Sequence, residues 1–131
     1  MYIFLCLKTE KTIEMRKSPI HGRGIFANVN FHPGDIVEAA PLLYYNRKHV
    51  SSEFSLLDYD LNCGDGRHAI MLGYASIYNH MNDSNANWAI DFDNDILIIK
   101  AVKNIQAGDE IFVDYGNKYW EDRPHMTNLT S

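Results

Sequence analysis

The sequence predicts a single, mostly β domain, on three observations. Its apolar runs are short and broken by turn residues. Two of them face each other across an Asp93-Asn94-Asp95 turn, and two corner segments repeat one pattern. The chain has 131 residues, room for one domain and little more. Hydrophobic residues make up 46% of it, enough to fill a core.

The elements follow in chain order. Residues 1–7 are apolar, lack a preceding basic segment and fall well short of the roughly 20 residues of a membrane span. They read as a strand or as a contact surface through which the chain could form a homodimer. Residues 25–29, 36–39 and 42–45 read as strands. Residues 51–60 read as a short helix capped by Ser51 or Ser52, and 70–78 as a second helical turn. Residues 89–92 and 96–102 make a hairpin, and 111–113 a last strand. Asn30-Phe31-His32-Pro33-Gly34-Asp35 and Asn104-Ile105-Gln106-Ala107-Gly108-Asp109 each place an apolar anchor before a Gly-Asp turn and then a strand. The echo predicts two similar β corners in one barrel-like body. The domain core spans about 13–120, and 121–131 form a polar tail with a loose end.

Composition narrows the function. A net charge of -5 opposes direct nucleic-acid binding, which needs a basic stripe, and suits a basic peptide instead. Cys6 and Cys63 share no zinc-type spacing, and the histidines at 21, 32, 49, 68 and 125 form no ligand pair, so no metal site is expected. With no disulfide framework, the setting expected is intracellular, and the Asn82 and Asn128 sequons carry no weight.

Three segments carry more chemistry than turns require. Gly22-Arg23-Gly24 lets backbone approach a ligand closely, or is a tight turn between strands. Asn79-His80 offers donors, acceptors and a planar ring to a ligand with an amino acid end and a purine, or is a capped helix end. Tyr115 follows a buried strand, where a tyrosine is ordinarily core or rim.

Their order and spacing are jointly specific. Gly22-Arg23-Gly24-Ile25-Phe26-Ala27 after Arg16-Lys17-Ser18-Pro19, then Leu72 through Tyr78-Asn79-His80, then Gly108-Asp109-Glu110-Ile111 with Asp114-Tyr115-Gly116, resemble the SET-domain protein-lysine methyltransferases. The likeness spans about 13–120 and is nearest to the small stand-alone SET proteins of large DNA viruses of algae. It implies the β-clip fold: several small sheets, short helices and a pseudoknot in which the Asn79-His80 and Asp114-Tyr115 segments meet.

The resemblance also implies chemistry. The family moves a methyl group from S-adenosylmethionine to a lysine amine. Arg23, Gly24, Asn79, His80 and Trp120 would bind the cofactor, Tyr115 would be the catalytic tyrosine, and Tyr59, Tyr78, Trp88 and Val113 would border the substrate. The implied substrate is a basic protein, a histone tail foremost, which would put the protein in the nucleus at chromatin. Met81 and Ser84 depart from the family pattern, which implies an altered loop with cofactor binding kept. No cysteine-rich zinc cap follows the closing motif, leaving residues 117–126 or a second subunit to cover the site. A non-catalytic β-clip module that only binds a peptide or ligand is the rival reading.

Overall fold

The computed structural model describes residues 11–121. Its strands are β1 (Ile13–Lys17), β2 (Arg23–Ala27), β3 (Ile36–Tyr45), β4 (Asp60–Gly64), β5 (Arg67–Met71), β6 (Asn79–His80), β7 (Ala86–Asp91), β8 (Ile96–Ala101) and β9 (Glu110–Val113). They form a four-stranded sheet ordered β1-β2-β9-β6 and a five-stranded sheet ordered β4-β5-β3-β8-β7. Among the described residues there are also two 3₁₀ helices (Arg47–His49 and Ser55–Tyr59) and one short helix, α1 (Asn117–Glu121). No helix among the described residues is long and apolar enough to cross a membrane. Residues 1–7 and nearly all of the tail lie outside the described residues.

Alternation along the strands makes the core. β8 buries Leu97, Ile99 and Ala101 and turns Lys100 outward, while β2 buries Ile25 and Ala27. Ile105, Ile111 and Tyr78 join them from neighbouring segments.

The two echoed corners are built alike. In each, an aspartate carboxylate accepts the backbone N–H three residues earlier: Asp35 from His32 at 2.8 Å, Asp109 from Gln106 at 2.9 Å. In each, the glycine takes a positive φ, 92° at Gly34 and 97° at Gly108, and donates to an alanine carbonyl in the opposite half, Ala101 or Ala27. The anchors Phe31 and Ile105 pair with each other, exchanging backbone hydrogen bonds of 2.8 and 2.9 Å. The corners thus face one another about a local pseudo-two-fold and join the two sheets.

Several elements differ from the sequence reading. Segments 36–39 and 42–45 are one ten-residue strand, β3. Pro41 falls where β3 changes partner, since β3 pairs with β8 through Pro41 and with β5 from Leu42 onward. Residues 51–60 hold only the 3₁₀ helix Ser55–Tyr59, with Phe54 at its N-cap and no side-chain cap; the Ser51 hydroxyl instead accepts from Glu53 N at 3.3 Å. Residues 70–78 are not helical: Ile70 and Met71 end β5, and a single turn follows in which Ile77 N donates to Tyr74 O at 2.9 Å. That turn is fixed by the Glu38 carboxylate, which accepts from Tyr74 N and Tyr78 Oη, both at 2.8 Å.

β6 is two residues long and pairs in parallel with β9, Asn79 opposite Phe112 and His80 opposite Val113. Asn85 extends this pairing with its side chain: Nδ2 donates to Glu110 O at 3.0 Å and Oδ1 accepts from Phe112 N at 2.8 Å. Asn85 substitutes for a strand backbone. Asn85→Ala is expected to cost about 1–3 kcal/mol of unfolding free energy in denaturant titration, because two partly buried backbone groups of β9 lose their partner; a loss no larger than that of an exposed asparagine such as Asn94 would refute this role.

Candidate active site

The short parallel pair sends two side chains in opposite directions, as neighbours in a strand must. Asn79 points into the first sheet, where it is 7% exposed. Its Nδ2 donates to His21 O at 3.0 Å, Arg23 O at 3.2 Å and Glu110 Oε2 at 2.8 Å. Among the described residues nothing donates to its Oδ1, a buried acceptor left open.

His80 points the other way. Its Nδ1 accepts from Tyr115 N at 3.0 Å, which places the proton on Nε2, and Nε2 donates to Asn82 Oδ1 at 2.8 Å. Both ring nitrogens are therefore engaged by a neutral imidazole. Tyr115 lies 5.2 Å from His80 between ring centroids and stacks on Trp120 at 5.6 Å; Trp120 meets His80 edge-on at 5.0 Å. Helix α1 supplies Trp120 and Tyr119, and Tyr119 Oη donates to Asp58 O at 3.2 Å. The Tyr115 hydroxyl donates to the carbonyl of Tyr78.

These groups border a cavity of about 1260 Å³. That exceeds the roughly 300–1,000 Å³ usual for one small ligand, so a cofactor and a substrate side chain can share it. Arg23, Asn79, His80, Tyr115 and Trp120 line it, and so do Tyr59, Trp88 and Val113. Trp88 is held by its indole N–H, which donates to Asp114 O at 3.0 Å. Two expected site residues are not in the lining. The Tyr78 ring is 1% exposed and faces Glu38 in the core; only its carbonyl reaches Tyr115. Gly24 lies behind Asn79, and a Cβ there would overlap the Glu110 carboxylate and stand 3.1 Å from Asn79 Nδ2. Its φ is not in the left-handed region, so space, not conformation, calls for glycine.

Residues 22–116 match the SET domain. The chain belongs to the SET-domain family. Its small sheets and the meeting of β6 with β9 are the SET fold that the sequence motifs implied. A histone-lysine N-methyltransferase of Schizosaccharomyces pombe (strain 972 / ATCC 24843), specific for H3 lysine-37, is 24% identical over 111 residues, 82% of this chain and 76% of that relative. A crystal structure of a candidate histone methyltransferase from Plasmodium falciparum superposes with a TM-score of 0.74 at 30% identity, over 86% of this chain and 99% of that one. Polycomb Repressive Complex 2 of Chaetomium thermophilum, autoinhibited and bound to S-adenosylmethionine, gives 0.68 at 19% identity, a likeness of fold alone. There the match covers 92% of this chain and 17% of the larger one.

Sequence reasoning passed over two carboxylates of this SET domain, Glu38 and Glu110, which hold the turn before β6 and Asn79 itself. Glu110 was visible only as part of the Gly108-Asp109-Glu110 motif, and Glu38 gave no signal. Burial, then the Glu38 charge, raises the Tyr78 hydroxyl far above its ordinary value; burial, then Tyr119 and Tyr59, raises Tyr115. Both stay protonated in the folded protein, whereas unfolded tyrosine ionises near about 10. Raised folded-state values mean stability that is intact below about pH 10 and lost as pH climbs beyond it. The unfolding free energy is expected to fall over that range and to fall less steeply in Tyr78→Phe. An identical slope in mutant and wild type would exclude Tyr78 as a source.

Proposed function

We propose that this SET domain transfers a methyl group from S-adenosylmethionine to a lysine of a basic protein, a histone tail foremost. The supporting observation is the convergence of Asn79, His80 and Tyr115 on one cavity through a two-residue strand. The names of the fission-yeast and Plasmodium relatives agree with a histone substrate, which would place the protein at chromatin. The net charge of -5 suits a basic peptide.

The residues present fit the cofactor. The open Asn79 Oδ1 is an acceptor for an ammonium group, and a buried acceptor without a donor is costly unless a ligand satisfies it. The His80 and Trp120 rings offer apolar surface to a purine, and Arg23 lines the same cavity. When bound, S-adenosylmethionine supplies an electrophilic methyl group on a sulfonium centre.

Tyr115 orients the amine. Its raised hydroxyl is not a base, and its proton is committed to the Tyr78 carbonyl. Its oxygen is left as an acceptor for an N–H of the lysine, a positioning effect. A free lysine has a pKa near about 10.4, and an apolar cavity lowers it by disfavouring the ammonium form. Tyr59, Trp88 and Val113 give that cavity its apolar walls and limit the volume left around a methylated amine.

Tyr115→Phe is expected to fold, to keep its affinity for S-adenosylmethionine by calorimetry and to lose about 100-fold in turnover on a lysine peptide. Asn79→Ala is expected to weaken the cofactor affinity itself. Equal turnover in Tyr115→Phe and wild type would refute the role of Tyr115. A wild type that binds peptide and never modifies it would favour the binding-module reading.

A further inference from the structure

We infer that Glu110 is a positioning residue of the methyl-donor site, acting through Asn79; the inference rests on the function proposed above. An asparagine side chain has a donor end and an acceptor end, and what surrounds it decides which end faces the cavity. Here three oxygens surround one end: His21 O, Arg23 O and Glu110 Oε2. Reversing the amide would set Asn79 Oδ1 against all three. The His21 carbonyl belongs to the loop leading into β2 and the Arg23 carbonyl to the first residue of β2, and the carboxylate is the charged and closest member, at 2.8 Å.

Glu110 is itself fixed from both sides. Its Oε1 accepts from Ser18 Oγ at 2.7 Å, and Ser18, 7% exposed, accepts in turn from Ile20 N at 3.0 Å and His21 N at 3.4 Å. One carboxylate therefore bridges the loop that presents His21 O and the amide that bonds to it. Gly24 completes the arrangement, since any Cβ there would occupy the carboxylate's place. The first of the three sequence motifs reaches the site partly by leaving room for the third. The consequence is an Asn79 Oδ1 held toward the cavity, matched to the ammonium of an amino acid end and backed by a negative charge.

Glu110→Gln tests this with nearly unchanged shape. With its N–H turned to Asn79 it sets N–H against N–H; with its N–H turned to Ser18 it meets a hydroxyl oxygen that already accepts from Ile20 N and His21 N. Calorimetry with S-adenosylhomocysteine, which has the amino acid end, and with 5′-methylthioadenosine, which lacks it, separates positioning from general damage. Glu110→Gln is expected to weaken S-adenosylhomocysteine about tenfold, the loss of one hydrogen bond to a charged group, and to leave methylthioadenosine unchanged. In an Asn79→Ala background it is expected to have no further effect. Gly24→Ala, which displaces the same carboxylate by contact, is expected to show the same selective loss and serves if Glu110→Gln does not fold. The Asn79/Glu110 cycle decides alone if methylthioadenosine binds too weakly to measure. Equal losses for both ligands, losses that multiply in the double variant, or no loss would each overturn the inference. A wild type with no affinity for S-adenosylhomocysteine would instead defeat the proposed function, and this inference with it.

Discussion

Two residues of parallel pairing, Asn79 with Phe112 and His80 with Val113, are the constraint on which the rest of the molecule depends. A parallel pair cannot be closed by a tight turn, so the chain must leave and return. It does so through the β7–β8 hairpin and the second corner, which places Asn79 and Glu110 side by side although they are 31 positions apart. The side-chain period in a strand is two, so a slip of one residue would exchange Asn79 with His80 and destroy both environments. Three contacts set the register: the Asn85 side chain on β9, Met81 N on Val113 O at 3.1 Å, and Tyr115 N on His80 Nδ1 at 3.0 Å. None involves a hydrophobic contact. The core packs the sheets together, and polar bonds choose among the packings.

What the sequence revealed is what local chemistry controls. The two corners could be read because a Gly-Asp turn has its own φ requirement and its own side-chain acceptor, both contained within six residues. The β7–β8 hairpin was legible for the same reason: Asp91 accepts from Asp93 N at 3.0 Å and Asn94 N at 3.2 Å, so the turn is written in its own residues. β2, β8 and β9 also emerged, with ends off by a residue or two, from short apolar runs bounded by turn residues. The site residues stood out as motifs, and the structure gathers most of them at one cavity.

The rest is hidden because its causes are distant. β6 has no periodicity to detect in two residues; it is a strand only because β9 arrives beside it. The turn before it looked helical because Tyr74 and Ile77 do form one turn, but Glu38 on β3, 40 positions from Tyr78, prevents its continuation. The ring of Tyr78 was expected at the substrate, and the same carboxylate draws it into the core. The β4–β5 hairpin was missed although Gly64-Asp65-Gly66 marks its turn, with positive φ at all three residues, 81°, 53° and 75°. An apolar run that reads equally as strand or helix concealed it.

Glu38 and Glu110 solve one problem in the same way. Each sits under a glycine: a Cβ at Gly73 would come within 2.6 Å of Glu38 Oε2, as one at Gly24 would overlap Glu110. Each carboxylate spreads its two oxygens over two donors, Tyr74 N and Tyr78 Oη for Glu38, Ser18 Oγ and Asn79 Nδ2 for Glu110. An apolar residue in either place would leave those donors unsatisfied in the interior, at a greater cost than placing a charge there with its bonds complete. The result is that Tyr78, Asn79 and His80, three consecutive residues, are each oriented by a different partner: Glu38, Glu110 and the backbone of Tyr115. With the Tyr78 ring held away by Glu38, its carbonyl is the group that receives the Tyr115 hydroxyl. The geometry of the segment comes from outside it, and for that reason a cavity of this size can sit beside it without loosening it.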